Sequence, residues 1–437
     1  MRNWLSGILL LLYSSLACPA DLVEVYSLAE SNDPQYRQVS AARQATLESR
    51  PQAFSQLLPA INLSANTRKN DQDISSAGRA FGSSGEVEFN SHGYSLNATQ
   101  PLFHRDRLIT LKQADSLIQQ ADAELIAAQQ DLIVRVAVRY FNLLAAMDHL
   151  EFAQSEKKSL SRQLDQAKQR FEVGLTAITD VQEAQAGYDR AVANEILAEN
   201  MIDNAREALR EITGEYTDAL SLLGNSMPLV SPEPAVIETW TTTSLEQNLQ
   251  ILTARYAAET AQKEIKLQSA GHLPTLDLVA SRDYLSTGGR FGSTKQHSTE
   301  VGLELNIPLY SGGLVSSRTR EAAQRYNEAM EKLEQARRAA QRLTREAYLG
   351  VMSGISQVNA LQQAVVSSET ALQATQAGFD VGTRTAIDVV AAERTTFGAR
   401  RDLSRARYDY ILNTLRLKQA AGTLAPDDLK QINSWLN

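Results

Sequence analysis

The sequence predicts a mainly α-helical chain that carries a smaller set of membrane β-strands and is folded as two copies of one structural repeat. Three observations predict it. Phe171, Val173, Gly174, Asp180, Val181 and Ala184 recur as Phe379, Val381, Gly382, Asp388, Val389 and Ala392, at a constant offset of 208 positions. Such self-similarity decides what counts as one structural unit. Residues 105–171 contain neither proline nor glycine, and about 67 residues in one helix would run ~100 Å. At four places, each beside a proline, the apolar period changes, from 3.6 to 2 at Pro59 and Pro274 and back from 2 to 3.6 at Pro101 and Pro308, which are the changes between helix and strand. The composition agrees with long helices: aromatics make up 6% of the 437 residues, and the net charge of −8 argues against a nucleic-acid partner.

Met1 to Ala20 has one early cation, Arg2, an apolar run, and small residues before Asp21. This is the layout of a secretory signal peptide over 1–20. Ser15-Leu16-Ala17-Cys18 also loosely resembles a lipoprotein processing site, which leaves two fates open for the single cysteine: acylation, or removal with the signal. In the second case the mature chain has no thiol or disulfide chemistry.

The first repeat spans 21–214. Its opening helical pattern is broken at Asn32-Asp33-Pro34, where Asp33 and Pro34 suit a helix start. After Leu58-Pro59, Ile61, Leu63 and Ala65 alternate with Asn62, Ser64 and Asn66, a strand over about 58–67. Residues 68–92 are polar and rich in Gly and Ser and read as an exposed loop. Alternation returns over about 93–101 and stops at Pro101-Leu102-Phe103. The long helix 105–171 follows, with a heptad seam from Leu111 through Leu125 to Leu132 that slips by one residue at Val136. Val173-Gly174 is the turn of a helical hairpin, and a second helix covers 177–213.

Residues 215–243, with Pro228, Pro232 and Pro234, join the halves. The second repeat, 244–422, follows the same order. Leu273-Pro274 answers Leu58-Pro59, strands are expected over about 272–284 and 298–309 with a Gly/Ser-rich loop at 285–297, and Pro308-Leu309-Tyr310 answers Pro101-Leu102-Phe103. A helix over 314–379, the turn Val381-Gly382, a helix over 385–421 and a tail at 423–437 complete it.

Two strands per repeat are not independently stable in water. Four cannot close a barrel, so the strands should pair with those of other copies, and three copies supply twelve. Leu63, Leu96, Leu278 and Leu303 are candidates for a lipid face, Asn62, Asn97, Asp277 and Glu304 for a wet lumen. The strand–helix junctions hold Pro59, Pro101, Phe103, Pro274, Pro308 and Tyr310, and the two aromatics suit a membrane-interface girdle. The five histidines, His92, His104, His149, His272 and His297, form no close pair, and no phosphate loop, metal-ligand cluster or nucleophile motif is present. No catalytic residue, metal or cofactor is therefore assigned, and an enzyme is not expected. A secreted coiled-coil structural or interaction protein without channel activity is the alternative; it accounts for the helices but not for four alternating strands at matched places.

The NDPQYR start, the HLPTLDL strand, the IPLYSGG junction and the tips VGLTAITDV and VGTRTAIDV together resemble the TolC-like outer-membrane efflux proteins, over nearly the whole mature chain. The resemblance implies a homotrimer in the outer membrane. Its twelve-stranded β-barrel would continue into a twelve-helix coiled-coil α-barrel across the periplasm, ending in an iris-like gate. It also implies an exit duct of a tripartite efflux pump or type I secretion system, working with a periplasmic adaptor and an inner-membrane pump and passing drugs, small molecules or proteins. The residues matching the family's gate are Thr179, Asp180, Phe379, Arg384 and Asp388. Asp180 and Arg384 would pair between chains, and three copies of Asp388 would form an acidic ring, which favours cations. Asp180 and Asp388 also suit the first turn of the outgoing helices. The adaptor-docking tips would be Val173, Gly174 and Leu175, with Val381, Gly382 and Thr383. Two departures stand out. Phe379 replaces a tyrosine and donates no hydrogen bond, and Ala391 stands where a second acidic ring is common. Both imply a gate that opens more easily and is blocked more weakly by multivalent cations.

Overall fold

The computed structural model describes residues 19–74, 85–217, 219–224, 227–289 and 292–436. The expected signal segment therefore lies outside the described residues, apart from Pro19 and Ala20, and so does Arg290. In chain order the elements are α1 (Leu22–Asn32), α2 (Pro34–Leu47), α3 (Ser49–Ser55), β1 (Ala60–Ile74), β2 (Gly85–Phe103), α4 (Arg105–Glu172), α5 (Ile178–Thr213), α6 (Ile237–Gln247), α7 (Leu249–Ser269), β3 (Thr275–Thr287), β4 (Thr294–Asn306), α8 (Leu314–Asp380), α9 (Ala386–Ala421) and α10 (Pro426–Asn433). Among the described residues no helix is long and apolar enough to cross a membrane.

The chain forms two compact units, and neither is a repeat. Among the described residues, one comprises those within 41–124 and 250–336, the other those within 19–40, 125–249 and 337–436, so each draws on both halves. The cause in the first unit is strand pairing. Its sheet is antiparallel in the order β1-β2-β3-β4, and β2 of the first repeat bonds directly to β3 of the second. The register sets Leu63 opposite Leu96 and Leu278 opposite Leu303, with Asn62 opposite Asn97 and Asp277 opposite Glu304. Because side chains alternate with a period of two, one face is apolar and the other polar. The apolar face is uncovered within the chain: Leu63 is 70% and Leu303 67% exposed. The outer edges of β1 and β4 have no partner strand within the sheet.

The strands are longer than their side chains announce. Residues 68–74 and 85–92, expected as loop, continue β1 and β2 in unbroken register from Arg68–Ser91 to Ile74–Gly85. Residues 75–84 lie outside the described residues. Likewise β3 extends to Thr287 and β4 starts at Thr294, inside the expected 285–297 loop. Over 68–73 polar side chains occupy both faces, so no apolar period marks the segment, and over 86–89 only Val87 and Phe89 alternate with Glu86 and Glu88, a period too short to stand out; the backbone ladder, which needs no particular side chain, carries on through both. Residues 237–243, expected as linker, belong to helix α6, which runs to Gln247, and the expected tail contains α10, which starts at Pro426 and buries Leu429 and Ile432. A tail of one short helix has too few residues to show a period, yet two apolar anchors suffice to dock it.

The second unit has its core where α1, α4, α9 and α10 meet. Leu132, Ile133, Val136, Ala137, Tyr140, Phe141 and Leu144 of α4 are all buried, together with Leu22 and Val25 of α1, Ile411 and Leu415 of α9, and Leu429 of α10. This explains the slip at Val136. A two-stranded seam needs one apolar stripe, whereas α4 is here covered on more than one side and carries two adjacent stripes. The NDPQYR segment also gains a cause. Asp33, 1% exposed, accepts the Tyr36 N–H at 2.6 Å at the start of α2 and two bonds from Arg135 of α4 at 2.7 and 3.2 Å. Nearby on the same stretch of α4, five residues before Arg135, Gln130 reaches the end of α9, which Gly422 (φ 80°) closes. The Ala420 carbonyl accepts from Ser244 and Asn248 at 2.8 and 2.9 Å, and Gln130 donates to the Gly422 and Leu424 carbonyls. Side chains from other helices thus satisfy the orphan carbonyls of the helix end.

Candidate functional site

The two hairpin turns lie in the second unit and are built alike. In the first, Gly174 (φ 75°) donates its N–H to the Phe171 carbonyl at 2.9 Å, and Leu175 N–H bonds the Arg170 carbonyl at 2.8 Å. In the other, Gly382 (φ 80°) donates to Phe379 at 3.0 Å and Thr383 to Gly378 at 2.8 Å. Only glycine adopts this left-handed backbone without steric cost, which is why Val-Gly marks both turns. The apolar residues beside the glycines face outward: Val173 is 69%, Leu175 76% and Val381 76% exposed. Thr383 is exposed as well.

Each outgoing helix starts with an aspartate in its first turn, but the two starts differ. At α9, Thr385 and Asp388 form a reciprocal capping box: Asp388 Oδ2 accepts the Thr385 N–H and hydroxyl, both at 2.9 Å, while the Thr385 hydroxyl accepts the Asp388 N–H at 3.3 Å. The backbone bond from Thr385, then its hydroxyl, holds the Asp388 carboxyl below the ordinary carboxylate range, so it is ionised at neutral pH. At α5 the corresponding cap is Ala177, which has no side-chain acceptor, and the Thr176 hydroxyl instead donates to Asp180 Oδ2.

A cleft of about 490 Å³ between the two hairpins brings Asp180, Phe379 and Arg384 together, with Arg170 and Glu183 beside them. Thr179 is exposed, and neither it nor Asp388 lines the cleft. Two features of the cleft were not legible in the residues taken singly. The Arg170 guanidinium sits 4.8 Å from the centre of the Phe379 ring, a cation–π contact that ties α4 to α8 without the missing hydroxyl. The bare backbone of Gly378 lies against the Arg384 side chain. Comparing positions 208 apart, Arg170 with Gly378 and Thr176 with Arg384, was the signal available for both.

The junction residues belong to the first unit. Pro59 and Pro274 directly precede β1 and β3, Pro101 and Phe103 flank a register shift in β2, and Pro308 and Tyr310 follow β4. Phe103 is exposed, and Tyr310 is 88% exposed. A contact absent from the expectations fixes this end. His104, between β2 and α4, is bonded through Nε2 to Asp277 of β3 at 3.0 Å, which joins the helix start of one repeat to a strand of the other.

The family model for outer membrane efflux proteins matches residues 25–215 and 240–423. The outer membrane protein TolC of Vibrio cholerae serotype O1 is 40% identical, the alignment covering 97% of this chain and 95% of that protein. The alkaline protease secretion protein AprF of Pseudomonas aeruginosa is 28% identical over 99% and 90% of the two chains. In fold, the chain is similar to the crystal structure of the Campylobacter jejuni CmeC outer membrane channel, with a TM-score of 0.79, 18% identity and coverage of 95% and 90%.

Proposed function

This chain belongs to the outer membrane efflux protein family and is an outer-membrane efflux and secretion channel with a long periplasmic portion, and we propose that three copies form the exit duct and close its periplasmic end with their hairpin tips. The observation that carries the reading is the sheet: four strands with one uncovered apolar face and two unpaired edges. Lipid suits that face, and only closure with strands of other copies satisfies those edges where water is absent. A coiled-coil scaffold leaves both unexplained. AprF is named for protease secretion, which supports a type I secretion role beside small-molecule efflux. In either role the energy comes from an inner-membrane pump, and the exposed Val173, Leu175 and Val381 meet the helical hairpins of a periplasmic adaptor.

At the tips, Asp180 faces the cleft with one oxygen held by Thr176, and Arg384 makes no close ion pair within its own chain among the described residues, its charge acting only at longer range on Asp388. An Asp180–Arg384 pair between neighbouring copies gives each carboxylate and each guanidinium its missing partner. Exposed pairs contribute about 0–1 kcal/mol each, so three of them hold the tips shut yet yield to the binding of an adaptor. Asp388 alone supplies the acidic ring, because position 391 is alanine.

Planar-bilayer recordings of the wild type beside Arg384→Ser test this. The wild type should give small, cation-selective steps, and the variant larger ones. A trivalent cation added on the tip side should block the wild type and leave Asp388→Asn conducting. Equal steps in wild type and Arg384→Ser contradict the gate, and failure of a folded wild-type trimer to insert contradicts the duct.

A further inference from the structure

We infer that Gly378 is a positioning residue for Arg384: the bare last turn of α8 is the seat on which the Arg384 stem lies, and any side chain there displaces the guanidinium from the cleft. Its effect on conduction rests on the gate reading above; the seat itself does not.

A Cβ at Gly378 would stand 2.8 Å from Arg384 Cγ, 3.2 Å from Thr383 Oγ1 and 3.5 Å from Arg384 Cβ. The backbone of the turn cannot retreat, because the Gly378 carbonyl accepts three bonds from it: the Thr383 N–H at 2.8 Å, the Arg384 N–H at 3.2 Å and the Thr383 hydroxyl at 3.0 Å. What can move is the Arg384 side chain, a flexible stem that swings by rotamer change. The tip therefore keeps its fold while the guanidinium leaves its place. Glycine within a helix is otherwise less favourable than alanine, so this one needs a reason, and the close approach of Arg384 supplies it.

The first tip shows the alternative solution. At the position equivalent to Gly378 it carries Arg170, whose side chain crosses to Phe379, and at the position equivalent to Arg384 it carries the short Thr176. Each tip thus carries one arginine at one of the two equivalent positions, on the helix in the first and on the turn in the second. The seat holds one stem.

The experiment is a set of single-channel recordings on detergent-extracted, full-length trimers carrying Gly378→Ala, Arg384→Ser and the double substitution, with Gly398→Ala as control. Gly398 lies in α9 with nothing within 4 Å of its added Cβ. Gly378→Ala should raise the closed-state conductance to within about twofold of Arg384→Ser and add nothing in the Arg384→Ser background, the non-additivity expected of groups acting as one. Gly398→Ala should leave the conductance as in wild type. An unchanged conductance for Gly378→Ala while Arg384→Ser conducts more overturns the inference, as does additivity of the two. If Arg384→Ser itself changes nothing, the gate reading fails, and the seat is then judged by a cryo-EM map of Gly378→Ala: a displaced Arg384 stem upholds it, an unmoved one sinks it. Should Gly378→Ala fail to assemble, Gly378→Arg combined with Arg384→Thr, which copies the first tip, should assemble and conduct like Arg384→Ser; its failure to assemble also overturns the inference.

Discussion

Replacing Asp33 by alanine is expected to destabilise the helical unit by about 3 kcal/mol, as breaking a buried ion pair commonly does. Asp33 is almost fully buried, and it holds the start of α2, the Arg135 side chain and, through Arg135, the carboxylate of Asp131 at 2.7 Å. Removing it leaves the partly buried guanidinium with Asp131 as its remaining carboxylate and leaves the Tyr36 N–H without its cap. The pH dependence follows with a definite sign. Burial alone would raise the Asp33 pKa, but the Arg135 hydrogen bonds, the Tyr36 N–H and the guanidinium charge outweigh it, and the carboxyl titrates below its ordinary value. A depressed folded-state pKa means the contribution is complete above about pH 4, the unfolded value, and is lost as pH falls through the folded one. Thermal unfolding of the detergent-solubilised protein at neutral pH checks the first statement, and the difference between wild type and Asp33→Ala should shrink below pH 4. A loss under about 1 kcal/mol at neutral pH would mean that the pair behaves as an exposed one.

The second large effect is expected at Gly422. A Cβ there would lie 2.3 Å from the Gln247 carbonyl oxygen, 2.6 Å from its carbon and 3.0 Å from the Asn248 nitrogen. All three are backbone atoms at the joint between α6 and α7, so no side-chain rotation relieves the contact. The left-handed backbone, φ 80°, adds about 1–2 kcal/mol for any residue with a Cβ. Gly382→Ala provides the comparison, since its φ is also 80° but nothing lies within 4 Å. Gly382→Ala should therefore show the conformational cost alone, and Gly422→Ala should lose at least about 3 kcal/mol or fail to assemble. Equal stability of the two variants, measured by thermal unfolding, would show that the α6–α7 joint yields freely.

How far the residues reveal the fold differs from place to place. The duplicated Val-Gly turns were visible because a left-handed backbone demands glycine, and α4 because proline and glycine are absent from it. The starts of β1 and β3 were marked by Pro59 and Pro274, each just ahead of its strand. The far ends of the strands were not, since Arg68 to Asp73 present polar groups to both faces and only the backbone ladder defines them. Nor could the residues show that β2 pairs with β3, which is why the compact units cut across the repeats. At the tips, the positions of Asp180, Phe379 and Arg384 came from resemblance to a family, whereas their sharing of one cleft comes from the packing of the two hairpins. The Arg170–Phe379 contact and the Gly378 seat escaped notice because each depends on a side chain's direction, which sequence spacing does not give. His104–Asp277 joins residues far apart in the chain and had no local signature.

The central claim is that the four-stranded sheet is one third of a closed barrel. The native mass of the protein extracted into lipid nanodiscs tests it most directly. Three chains per particle, and hence twelve strands, is the result this account requires, with monomers and dimers absent from the conducting fraction. A conducting particle of one or two chains would contradict it, because the unpaired edges of β1 and β4 would then remain open within the lipid.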